Sequence, residues 1–184
     1  MPHPWLKRIR DTGQLIVFNK ATAWAAPVGE AIKSFNNLPF GVTLVAEKDE
    51  KAANIVLVLG IRAGEQYPYY GTTAITRPRF DPAGLHGQAT TFNDPRSKEL
   101  FFAVAFLPGK VKKATNGQKE VIVVHELIHA AGSDEWHDSE GIMYDVMQVD
   151  GGGLIEASRP KGASPMPPIR LGAATRHEMS HLWP

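Results

Sequence analysis

The chain has 184 residues, 43% of them hydrophobic, enough apolar material for one globular domain with its own core. Lys and Arg number 20 against 19 Asp and Glu, a formal net charge of +1, so neither nucleic acid nor an anionic membrane finds an electrostatic footing. Cysteine is absent, which excludes disulfides and thiolate ligands and leaves any metal to histidines and carboxylates.

Residues 1–13 read as an irregular, proline-containing lead, with the basic run 7–10 (Lys-Arg-Ile-Arg) as a solvated tail. The apolar run 15–18 is far shorter than the hydrophobic stretch of a secretory signal, and nothing approaches a membrane span. The chain is therefore expected to be cytoplasmic at synthesis, with lysis or a non-classical route as its way out. Residues 15–19 read as a strand. Residues 27–36 read as a helix, with Pro27 in the first turn and Val28, Ile32 and Phe35 on one stripe. Asn36-Asn37 and Leu38-Pro39 stop it.

Two β-rich runs, 42–46 and 54–60, follow, separated by a charged, helix-prone turn at 47–52. The run Ile55-Val56-Leu57-Val58-Leu59 is apolar at every position, as a central strand covered on both faces would be. From 60 to about 90, Gly, Pro, Tyr and Arg predict a long surface excursion. Tyr67, Tyr69 and Tyr70 are expected to pack that loop onto the body rather than to line a binding surface. A strand at 100–107 is closed by Pro108-Gly109.

A helix is predicted over 116–131, opened by a capping box of Thr115 and Gln118 and ended by Gly132 in a left-handed cap. Val121, Val124, Ile128 and Ala131 form its buried stripe, with His125 and His129 on a neighbouring face. The remainder reads as mostly irregular, turn-rich at Gly151-Gly152-Gly153 and 160–168, until a helix at 172–182 packed through Leu171, Met179 and Leu182.

The run His125-Glu126-Leu127-Ile128-His129 carries chemistry. Histidines four apart share a helix face, so both imidazoles reach one Zn²⁺, while Glu126 lies beside the metal, placed to take a proton from an attacking water. A catalytic zinc needs a third protein ligand and an open position. Candidates after Gly132 are Glu135, His137 and Asp138. A neutral imidazole leaves the ion at its full charge and best acidifies water, which favours His137 over Glu135, with Asp138 behind both. A second such run, His177-Glu178-Met179-Ser180-His181, has almost no chain after it to supply a third ligand, and reads as a solvent-facing helix with incidental histidines.

His125-Glu126-x-x-His129-x-x-Gly132 followed by His137 resembles the long zinc motif of the metzincin metallopeptidases. Ser139-Glu140-Gly141-Ile142-Met143-Tyr144 resembles their Met-turn, set a few residues past the third histidine as in the matrixin branch. Four residues separate Gly132 from His137 here, where metzincins usually have two, so strict spacing lands on Glu135; a two-residue loop insertion restores His137.

The resemblance implies an α+β fold in which a twisted mixed β-sheet has a long zinc-binding helix below it. The N-terminal subdomain would cover about 1–132, and a small, mostly irregular C-terminal subdomain, about 133–184, would end in a helix. It further implies that residues 101–106 lie near the edge strand that pairs with an extended peptide. Met143 would form an apolar floor under the ligands, and Val146 and Met147 a pocket wall. Tyr144 is not expected to be a ligand, because the zinc-touching tyrosine of some metzincins lies one residue further on.

The implied activity is that of a zinc-dependent endopeptidase with one catalytic Zn²⁺ on His125, His129 and His137 and with Glu126 as the base. Its partners would be peptide or protein substrates, acted on by a monomer. The propeptide cysteine that restrains matrixins has no counterpart here, so the enzyme would be either active as made or restrained by a separate inhibitor protein. His86, Asp81 and Asp94 are too sparse, and His3 too remote, to support structural calcium or a second zinc. The alternative is a non-catalytic zinc-containing binding or structural module on the same fold. A zinc-dependent ribonuclease is disfavoured by Glu126 and by the near-neutral charge.

Overall fold

The run Ile55–Gly60 sends alternate side chains into two different cores, which is what its unbroken apolar sequence requires. The computed structural model describes residues 3–69, 71–112, 114–133, 142–143, 148–149, 152–153 and 169–184. In chain order its elements are α1 (Lys7–Arg10), β1 (Gln14–Asn19), α2 (Ala25–Asn36), β2 (Thr43–Glu47), β3 (Ile55–Gly60), β4 (Gln66–Tyr69), β5 (Thr72–Ile75), β6 (Gln88–Asn93), β7 (Leu100–Pro108), α3 (Asn116–Ala130), β8 (Gln148–Val149), β9 (Gly152–Gly153) and α4 (Ala173–Leu182).

The architecture is α+β. A twisted mixed sheet runs in the order β2-β1-β3-β7-β6. Its first four strands are parallel, and β6 pairs antiparallel with β7 from Gln88↔Phe106 to Asn93↔Leu100. On one face Ile55 and Leu57 of β3 and Ala103, Ala105 and Leu107 of β7 meet α2 and α3. Two alanines here let α3 approach the sheet closely. On the other face Val56, Val58, Phe102, Val104 and Phe106 pack beneath the β4–β5 hairpin.

Helix α3 begins with the expected capping box: the Thr115 amide donates to Gln118 Oε1 at 2.9 Å, and the Gln118 amide to Thr115 Oγ1 at 3.2 Å. The expected stripe is buried, and so are Ile122, Val123 and Leu127, so burial extends well beyond one stripe of this helix. Its last turn is closed from both ends of the chain. Trp5 Nε1 donates to the Ala130 carbonyl at 3.2 Å and Trp183 Nε1 to the Ala131 carbonyl at 2.9 Å, satisfying acceptors that a helix C-terminus leaves open. Gly132 then turns the chain at φ +115°, where a Cβ would lie 2.8 Å from the His3 carbonyl oxygen. Gly132→Ala is expected to cost about 2 kcal/mol of stability, read as a lowered denaturant midpoint; an unchanged midpoint would contradict this account of the turn.

Several expectations need correction. Residues 7–10 are not a solvated tail: they form α1, and Arg10 is held by the Trp5 carbonyl at 2.7 Å and Glu99 at 3.0 Å. The lead is likewise built in, since Trp5 is fully buried and Leu6 donates to Leu100 across the end of β7. The excursion from 60 to 90 contains the β4–β5 hairpin and ends in β6. Residues 101–106 do lie near the edge, in β7, which pairs with the edge strand β6. The tyrosines pack as expected: Tyr69 stacks on Phe102 with ring centres 3.9 Å apart, and Tyr67 bonds the Glu50 carboxylate, while Tyr70 lies outside the described residues.

The closing helix forms as α4, with Leu171, Met179 and Leu182 buried. Between Gly132 and that helix the described residues include the two-residue ladder β8–β9, and segment 160–168 lies outside them. No helix among the described residues is long and apolar enough to cross a membrane.

Candidate active site

The site lies where α3 passes under the free edge of β6. A cavity of about 240 Å³ there is lined by His125, Glu126 and His129 from the helix, and by Gly87, Gln88 and Ala89 from the strand side, with Arg77, His86, Thr91 and Ser133 around them. Helical spacing puts His125 and His129 on one face, with ring centres 4.9 Å apart. Two imidazoles sharing one tetrahedral zinc at 2.0–2.1 Å have centres about 5 Å apart, so this pair fits the ion.

His125 is 3% exposed, and its orientation is set from a distant segment. Its Nδ1 lies 2.7 Å from the Ile142 carbonyl oxygen, which can only accept, so Nδ1 carries the proton and Nε2 the lone pair. A ring oriented in this way meets a metal through Nε2. Ile142 and the neighbouring Met143, both buried, belong to the segment that resembles a Met-turn. His129 is half-buried, with its Nδ1 sealed from solvent.

Glu126 is 3% exposed, and burial pushes its carboxyl up to about 8. The backbone amides of Ala89 and Gly87, which donate to it, and the Arg77 charge pull the other way and only partly compensate. A dication held by the adjacent histidines would favour the carboxylate further. In the metal-free protein the native state keeps a proton that the unfolded chain releases near pH 4.5. Stability should therefore fall as pH rises from about 4.5 to about 8 and level off above. Glu126→Gln should flatten that slope in chelator-treated protein; the same slope in both proteins would place its origin elsewhere.

The three candidates for a third ligand, Glu135, His137 and Asp138, lie outside the described residues, as do Tyr144, Val146 and Met147. Among the described residues no three His, Asp or Glu side chains come together as a metal set. The second motif behaves as a solvent-facing helix in its histidines. His177 and His181 are exposed, and His181 Nδ1 lies 2.9 Å from the His177 carbonyl oxygen. Its glutamate is used differently: Glu178 accepts a hydrogen bond from Ser133, at the rim of the cavity.

Sequence reasoning missed the strand side of the site. His86, considered in the sequence only for a second metal, is exposed and also lines the cavity. Gly87 and Ala89 act through backbone amides, which no residue type announces. One signal was present, since Gln88-Ala89-Thr90-Thr91-Phe92 is β-prone enough to mark a strand next to the loop. Arg77 also went unnoticed. Its backbone amide donates to Gln88 Oε1 at 2.7 Å, and Gln88 Nε2 reaches the Ile75 carbonyl at 3.2 Å, tying the hairpin to the edge strand. Compared with known proteins, the chain matches no family model, and no curated protein is significantly similar to it in sequence.

Proposed function

We propose that this protein is a zinc-dependent endopeptidase of metzincin, matrixin-like type. His125, His129 and His137 would hold one catalytic Zn²⁺, and Glu126 would act as general base. The observation that carries the reading is the His125–Ile142 hydrogen bond. It aims one ring nitrogen of a buried histidine from the very segment that resembles a Met-turn, in a cavity that also holds Glu126 and His129. The antiparallel edge strand above α3 supports it further, because β6 offers an extended peptide a strand to pair with.

When bound, zinc supplies Lewis acidity that polarises the scissile carbonyl and lowers the pKa of water. Glu126 removes a proton from the attacking water as its oxygen bonds to the carbonyl carbon. It then passes that proton to the amine nitrogen as the C–N bond breaks. Glu126 itself is buried, which strengthens its contacts with the Gly87 and Ala89 amides.

The test is cleavage of a peptide library by purified protein. Hydrolysis abolished by a chelator and restored by one equivalent of zinc is the expected result. Tight zinc binding with no peptide cleaved would instead favour a non-catalytic module on this fold.

A further inference from the structure

We infer that Gly87 is a positioning residue for Glu126: the absence of a side chain there, together with the amides of Gly87 and Ala89, fixes where the glutamate carboxylate sits. A Cβ built on Gly87 would lie 2.7 Å from Glu126 Cγ, 2.9 Å from Glu126 Cδ and 2.8 Å from the Phe106 carbonyl oxygen. The first two atoms belong to a side chain 3% exposed that lines the cavity, so a retreat from position 87 moves the carboxylate into the space where the chemistry is proposed. The third is backbone of β7, the strand that pairs with β6 and cannot yield without disturbing the ladder. A methyl at position 87 therefore pushes on the carboxylate and on the edge strand together.

The glycine lets strand and helix meet closely enough for two main-chain donors to reach one carboxylate. Ala89 lies in β6 and Gly87 is the residue just before that strand begins, so the edge strand and its lead-in supply one donor each. The Ala89 donor belongs to a paired strand and moves little, so the carboxylate is tied to β6. Glu126 is thus located by its own helix and also by the strand expected to bind substrate, which couples the position of the base to that of the peptide. The catalytic part of this inference rests on the endopeptidase reading; the positioning contact does not.

Two measurements test it. In the zinc-loaded protein, Gly87→Ala should lower kcat on a cleaved peptide about 100-fold, because a displacement near 1 Å costs that much, while KM and zinc affinity stay within about twofold. In the metal-free protein, a double-mutant cycle of Gly87→Ala and Glu126→Ala should show coupling. The unfolding penalty of the alanine at 87 should shrink at least tenfold, as an equilibrium constant, once the Glu126 side chain is gone. A penalty unchanged by the loss of Glu126, or equal losses in kcat, KM and zinc affinity, would overturn the inference. Should the wild-type protein cleave no peptide, the endopeptidase reading fails, and the stability cycle still decides whether Gly87 sets Glu126.

Discussion

Glu126→Ala is expected to reduce peptide hydrolysis by about 10³-fold in kcat while leaving zinc affinity within about threefold of wild type. The two halves of that outcome separate the roles on α3. Glu126 is next to His125 in sequence, and its carboxylate accepts from the amides of Gly87 and Ala89. Removing it therefore takes a proton acceptor out of the cavity and leaves the imidazole pair standing. It also removes a carboxyl that burial makes unfavourable to ionise, so the variant should fold at least as stably near pH 8. Steady-state kinetics and a competitive zinc titration on the same preparation measure both halves. Activity surviving with zinc fully loaded would remove Glu126 from the chemistry.

His125→Ala is expected to weaken zinc binding at least about 100-fold, more than the loss of an outer-shell partner usually costs. This histidine is buried and held by Ile142, so its contribution includes pre-organisation as well as a donor nitrogen. His137→Ala should fall in the same range, and Glu135→Ala should cost less than about tenfold. Titration against a chelator of known affinity ranks the three. The reverse order at 135 and 137 would give the third position to the carboxylate. His177→Ala and His181→Ala should leave the affinity of the α3 site unchanged.

What the sequence made legible was local. Helix α3 announced itself through Thr115, Gln118 and Gly132, signals that lie within a turn of the ends they specify. The two-sided burial of β3 was readable because every residue of 55–59 is apolar. What escaped was non-local. Trp5 and Trp183 close the same helix end from 125 and 52 residues away, and nothing in either neighbourhood points to α3. Strand order is equally invisible to periodicity. The pattern at 100–107 marks a strand but says nothing of β6, which covers its outer side and forms the edge.

The site divides along the same line. His125, Glu126 and His129 come from one helical spacing and were read directly. The Ile142 carbonyl and the Gly87 and Ala89 amides are main-chain groups, and what they do depends on the fold that delivers them. A glycine selected for lack of volume looks, in sequence, like any loop glycine. His86 and Arg77 reach the cavity only because the hairpin and its following loop fold back onto the sheet.

The most direct test of the central claim is a crystal structure of the zinc-loaded protein with data collected at the zinc absorption edge. The account predicts one strong anomalous peak at about 2.0–2.1 Å from Nε2 of both His125 and His129, with a His137 nitrogen as the third protein donor. Zinc found only at His177 and His181, or an α3 cavity that stays empty at saturating metal, would contradict it.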